Sequence, residues 1–203
     1  MTHLTPDTLP DARLEPSVAT PRLDLYTPIH KAMRHFMTDT LQRVGRLDVF
    51  DADDMQSTLA QLGALLDQCV AHLDHENQFV HPAIEARRPG AAHRIAEEHL
   101  AHLESIDALR LDADQLRRAL PDRRAGLALR LYRHLALFVA ENFAHMHHEE
   151  TVHNTTLWAL YTDAELHALH DRLLASLQPE EAEATLRWML PALNPAERAR
   201  IGA

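Results

Sequence analysis

The sequence predicts an all-α chain: an up-down-up-down four-helix bundle carrying a short helical C-terminal extension. Three observations predict it. Leu, Ala, Arg and Glu dominate, and only 5 of the 203 residues are glycine, a composition of strong helix formers. Aromatics make up 5% of the chain, and runs of β-branched residues are absent. Long stretches repeat their apolar residues at helical spacing with short breaks between them, which favours antiparallel neighbours. The length suits one domain with a sizeable core.

Residues 1–22 form a leader rich in proline and threonine with no hydrophobic signal segment, expected to be mobile and not an export signal. The bundle spans 23–162. Its first helix starts at Thr27-Pro28, with a capping hydroxyl and proline at the first helical position. It runs to about Leu47 and carries Met33, Met37, Leu41 and Val44 on one face. Asp51 to Asp54 cap the second helix, whose stripe is Leu62, Leu65, Leu66, Cys69, Leu73 and Val80. Pro82 is expected to kink or end it, and Pro89-Gly90 to break it. The third helix runs from about Ala91 to Leu120, with Ile95, Leu103, Ile106 and Arg110 near one line. Pro121 starts the fourth, which continues through Leu131, Phe138 and Val152 to about Tyr161.

The extension, 163–203, opens on a capping box formed by Thr162 and Glu165 and a helix through Leu177. A further helix runs from Pro179 to near Pro191, and Asn194-Pro195 starts a last short turn. Leu166, Leu169, Leu173, Leu177, Trp188 and Leu190 need cover, from the bundle or from outside it, so a homodimer or a protein partner is expected at this extension.

Composition narrows the function. A net charge of −10 argues against nucleic acid, which needs a basic surface. No apolar run approaches the roughly 20 residues that span a bilayer, so a cytoplasmic protein away from membranes is expected. Cys69 is the only cysteine; it cannot form an internal disulfide and reads as a small core residue. No Ser/His/Asp order, glycine-rich phosphate loop or CxxC motif is present.

The anomaly is histidine, with 16 copies. His-x-x-x-Glu occurs at His72/Glu76, His81/Glu85, His93/Glu97 and His145/Glu149. Residues four apart stack on one helical face, where they can hold one ion or bridge two. At about 100° per residue, His72 and Glu76 fall within the stripe of Leu62, Leu65 and Cys69. His145 and Glu149 align with Leu131, Phe138 and Val152. His99 aligns with Ile95, Leu103 and Ile106, and His30 with Met37, Leu41 and Val44. His81 points about 140° from Glu76 on the same wheel. It is therefore read as solvated, together with His35, His93, His147, His167 and His170. Counted along antiparallel helices at about 1.5 Å per residue, His30, His72, Glu76, His99, His145 and Glu149 reach one height. His134 faces inward three turns away and reads as a hydrogen-bonded core histidine. Burying such groups unpaired costs several kcal/mol each, and a metal removes the objection. Imidazole with carboxylate suits iron, manganese or zinc.

The segments IHKAMRHFM, AHLDHENQFVHP, EEHLAH and ENFAHMHHEE carry this layout in order, from His30 to about Asp163. Together they resemble the hemerythrin-like, or HHE cation-binding, family. The resemblance implies a non-haem di-iron centre, with manganese or zinc ranked below iron, that meets O₂ or NO. It makes His30, His72, His99 and His145 terminal ligands and Glu76 and Glu149 bridges. Oxygen-carrying hemerythrins use a fifth histidine in the third helix, where Leu103 stands here. His102, about 60° off line, is the substitute candidate. They also use an aspartate where the fourth helix here offers Glu149. The expected role is binding, sensing or storing O₂, NO or iron, without commitment to enzymatic turnover. The alternatives are a di-iron oxidase or peroxidase, and a metal-dependent helical interaction module.

Overall fold

The computed structural model describes residues 22–201, and every regular element among them is helical. Helix α1 is Thr27–Gly45 and α2 is Ala52–His75. A π-helical turn, Glu76–Val80, joins α2 to α3, His81–Arg87. Helix α4 is His93–Arg118 and α5 is Pro121–His148. A second π turn, Glu149–His153, joins α5 to α6, Asn154–Leu160. Three helices complete the order: α7, Asp163–Ser176, α8, Pro179–Ala192, and α9, Pro195–Ile201. The leader expected over 1–22 lies outside the described residues except for Arg22. Its guanidinium donates to the Tyr161 carbonyl at 2.6 Å and to Asp163 at 2.8 Å.

Local chemistry sets the boundaries, with two departures from expectation. Thr27 does not cap α1: Tyr26 occupies the cap position, and the Asp24 carboxylate accepts from the N–H groups of Tyr26 and Thr27 at 3.0 and 2.9 Å. Asp51 caps α2 by accepting from the N–H groups of Asp53 and Asp54. Pro82 neither ends nor breaks the second rod. The wider turn just upstream, closed by the His81 N–H on the Glu76 carbonyl, absorbs the missing donor and the ring of proline. The rod ends instead before Gly90, whose φ of 85° is a conformation side chains resist. The Glu85 carboxylate then accepts from the N–H groups of Gly90 and Ala92. Thr162 and Glu165 form the expected capping box on α7.

Helix α1 packs on α2 and α5, and α4 packs on α5 and α2. The inner face of α4 is Ile95, His99, His102, Ile106, Leu109, Ala113 and Leu116, a spacing alternating between three and four. Leu103 is only half-buried, and Arg110, expected near that line, is exposed and pairs with Asp67 at 2.7 Å. His102 therefore lies on the centre of the stripe and not beside it.

Two apolar clusters fill the interior. The larger includes Met33, Leu73, Ile106 and Met146; the smaller includes Tyr26, Val80, Ala92 and Leu157. On every rod the change from one cluster to the other brackets a polar residue: His30, Glu76, His99 and Glu149. Cys69 lies in the larger cluster, as expected, and burial pushes its thiol up to about 12.

The extension folds back on the same chain. Trp188 of α8 stacks on Phe36 of α1, with centroids 4.0 Å apart and planes at 11°. His35, expected to be solvated, is half-buried with its ring 5.4 Å from Trp188. Leu166 of α7 is buried in the smaller cluster. Among the described residues, no helix is long and apolar enough to cross a membrane.

Candidate metal centre

The polar layer is a convergence of imidazole nitrogens on two carboxylates. On one side, His30 Nε2 lies 3.7 Å from Glu76 Oε1 and 3.5 Å from Glu149 Oε2, and His72 Nε2 lies 3.3 Å from Glu76 Oε1. On the other, His99 Nε2 lies 3.4 Å from Glu76 Oε2 and 3.9 Å from Glu149 Oε1, and His145 Nε2 lies 3.4 Å from Glu149 Oε2. The donors form two sets, His30/His72/Glu76/Glu149 and Glu76/His99/His145/Glu149, each with its ligand atoms within 4.8 Å of one another. Both sets include both glutamates. Each set could hold one metal ion, and the six residues expected at one height are brought together.

The far side of the rings decides which nitrogen carries the proton. Nδ1 of His30 faces Glu150 at 3.1 Å, Nδ1 of His99 faces the Asn77 amide oxygen at 2.9 Å, and Nδ1 of His145 faces Glu98 at 2.9 Å. A carboxylate or amide oxygen here accepts, so Nδ1–H donates and Nε2 is left with a lone pair aimed inward, the arrangement that orients metal-binding histidines. Nε2 of His99 and Nε2 of His145 stand 3.1 Å apart. Two such lone pairs repel unless a proton or a cation lies between them. Glu150 is in turn gripped by Arg34 through two contacts of 2.6 and 3.0 Å.

Electrostatics at the layer is unbalanced among the protein's own groups. Burial works against the charged form of His30, but the hydrogen bond to Glu150 and the nearby Glu76 carboxylate outweigh it and raise its pKa. Burial lowers His72 to about 4 and His145 to about 3, against the pull of Glu76 and Glu98 respectively. Burial also opposes the charge on Glu76, yet His72, His30 and His99 hold its pKa well below the ordinary carboxylate value. Glu149 goes the other way: burial, then the charge of Glu76, raises it well above. Both oxygens of each glutamate, with Nε2 of His30 and of His72, are buried without a hydrogen-bond partner. Orphaned groups of this kind cost several kcal/mol in an apolar interior. Bound cations would satisfy all of them, so the donor set fits a metal.

The angular reading of His81 fails. It is not on the surface but 6% exposed, its ring stacked on His99 at 4.8 Å and 27°. The cause is the π turn between Glu76 and His81: one extra residue in the turn rotates the downstream residues by about 100°, which brings His81 round to the inner face. The second π turn acts in the same sense downstream of Glu149. Val152, expected inside, is 46% exposed, and His153 is 1% exposed. The apolar stripe drawn through Val152 hides His153. Its traces in the sequence are its place four residues after Glu149 and the Glu-x-x-His spacing it makes with Glu150. His81, Glu149 and His153 form a third group of converging donors. Tyr26, which nothing in the sequence singles out, lies 1% exposed against the His30 ring, with its hydroxyl 3.4 Å from His153 Nδ1.

The other histidines lie outside these sets. His102 is buried beside His145, ring centroids 4.8 Å apart, but belongs to none of the converging donor groups. His134 is partly exposed and bonds Asp112 at 3.1 Å. His93, His147 and His167 are exposed, and His170 is half-buried. The chain matches no protein-family model and no curated protein.

Proposed function

We propose that the chain is a non-haem di-iron protein of the hemerythrin-like kind, an up-down-up-down four-helix bundle that binds, senses or stores O₂ or NO or handles iron. The observation that carries the reading is that Glu76 and Glu149 each belong to both donor sets. Glu76 turns Oε1 to His30 and His72 and Oε2 to His99, and Glu149 Oε2 stands between His30 and His145; carboxylates shared in this way suit a pair of ions, whereas a single-ion site has no use for the duplication. Imidazole and carboxylate together suit iron, manganese or zinc, and the resemblance to the hemerythrin-like family puts iron first. The bound pair would supply a redox-active centre for a diatomic ligand. The protein's own part is to orient: Glu150, Asn77 and Glu98 fix the rings, and the two apolar clusters exclude water. The pKa values of Glu149 and His30 are both raised, and cations need both groups deprotonated, so metal binding should strengthen as pH rises.

The test is metal content and optical spectrum of protein purified without chelator. Two irons per chain, with the near-ultraviolet charge-transfer bands of a carboxylate-bridged ferric pair, are expected. A chain that takes up no divalent ion, or saturates at one, overturns the reading. Turnover of peroxide or Fe²⁺ by the loaded protein would move it from carrier or sensor to oxidase or peroxidase.

A further inference from the structure

The layer contains donors that a pair of ions does not use. His81 and His153 converge on Glu149, and the ligand atoms of the three lie within 4.8 Å of one another. Both rings are buried, and Nε2 of each has no hydrogen-bond partner. On His153 the other ring nitrogen meets the Tyr26 hydroxyl at 3.4 Å, which leaves Nε2 as the inward atom. The two rings stand edge to face, centroids 5.7 Å apart. Neither ring is packed as a plain core residue would be: a leucine at either position would fill the space without stranding a polar nitrogen.

We propose that His81, His153 and Glu149 form a site for a third divalent cation, beside the pair and sharing Glu149 with it. The proposal deepens the di-iron reading and rests on it through that shared carboxylate. Two imidazoles and one carboxylate make a three-donor set suited to Fe²⁺ or Zn²⁺. On one rod the π turn that begins at Glu76 brings His81 to the inner face, and on the other His153 closes the π turn that begins at Glu149. A third dication sits within a few ångströms of two others and shares a ligand with them. It therefore binds last and more weakly than the pair.

The experiment is equilibrium dialysis of chelator-stripped full-length protein against Co²⁺, with the bound metal counted per chain at saturation. Wild type should reach three, the last equivalent at least tenfold weaker than the first two. The His81→Gln/His153→Gln protein should reach two, with the tight equivalents unchanged. Circular dichroism checks that the variant is helical; if it is not, the wild-type count, with anomalous scattering at the cobalt edge to locate each ion, decides alone. Wild type saturating at two, with the variant also at two, overturns the third site and leaves the di-iron reading standing. Wild type at two and the variant at one would mean that these histidines serve the pair itself, which also overturns it. Wild type binding none removes the di-iron reading and the third site together.

Discussion

Glu76 and Glu149 should part company when the metal is absent, although both are needed when it is present. Glu76 is held ionised by the rings of His30, His72 and His99, 3.7, 3.3 and 3.4 Å away. Glu76→Gln keeps the shape and removes the charge. Breaking one partner out of a buried charged set costs about 3–5 kcal/mol, a large part of the roughly 5–15 kcal/mol that holds a domain folded. Glu149 is pushed toward its neutral form by burial and by Glu76. Glu149→Gln then exchanges one neutral group for another and should cost about 1 kcal/mol or less, the worth of one altered hydrogen bond. The assay is urea unfolding of chelator-stripped proteins at pH 7. With a slope of about 2 kcal/mol per molar, a gap of about 3 kcal/mol separates the two midpoints by about 1.5 M. Metal-loaded samples should show the opposite of a separation, because each substitution deletes a shared ligand and both proteins should lose metal. Equal destabilisation of the two metal-free variants would refute the assignment of charge to Glu76 and a proton to Glu149.

His99→Ala should lose metal, because Nε2 of His99 faces both glutamates, whereas His102→Ala should keep it and shift only the spectrum or ligand affinity; equal metal loss in both would make His102 a ligand. In the metal-free protein, burial first of all lowers His72, His81, His102 and His153 from 6.5 to about 4 and His145 to about 3. The unfolded chain takes up those protons first, so their contribution is whole above pH 6.5 and is lost as pH falls toward 4, while the raised pKa values of His30 and Glu149 act in the opposite sense. The urea midpoint should therefore be lower at pH 5 than at pH 7.5, and a higher midpoint at pH 5 would mean that these rings are not held neutral. Deleting the exposed Gln78 from the first π turn should restore an α-helical turn with His81 four residues after Glu76 and still on the inner face, so metal binding should be retained; a helical deletion protein that loses metal would show that one surplus residue is not what sets the position of His81.

Much of the site is legible in the sequence because wheel angles are reliable inside an uninterrupted α-helix. His30, His72, Glu76, His99, His145 and Glu149 all precede any change of pitch on their rods, and the wheel alone puts them on the inner faces. His102 escapes by a smaller error. A stripe through Leu103 and Arg110 leaves it beside the line, whereas packing takes the alternation through His102 and Leu109. The groups that orient the rings are not legible at all. Asn77, Glu98 and Glu150 each sit next in sequence to an inward residue, about 100° off the stripe, where a polar side chain reads as solvated. Only the contact across to another rod, such as Glu150 of the second π turn meeting His30 and Arg34 of α1, gives them a role.

The wheel also cannot foresee a change of pitch, and here it falls where the chemistry is densest. Each π turn begins on a glutamate that stands four residues after an inward histidine, His72 or His145. In a continuous α-helix the next inward position after each glutamate would be three or four residues on, at Phe79 or Val80 and at Val152 or His153. The added residue widens the turn and moves the inward pair to the fourth and fifth positions, Val80 and His81 on one rod and His153 and Asn154 on the other. Pro82 explains why the first rod tolerates the wider turn, but the second rod has no proline after Glu149, so proline cannot be the common cause. The common element is the glutamate itself, buried with both oxygens facing other rods. A π turn inside an α-helix is rare and frequently marks a functional site. Two of them, each beginning on a buried glutamate with an inward histidine four or five residues beyond it, tie the backbone irregularity to the donor layer more closely than either pair of residues does alone.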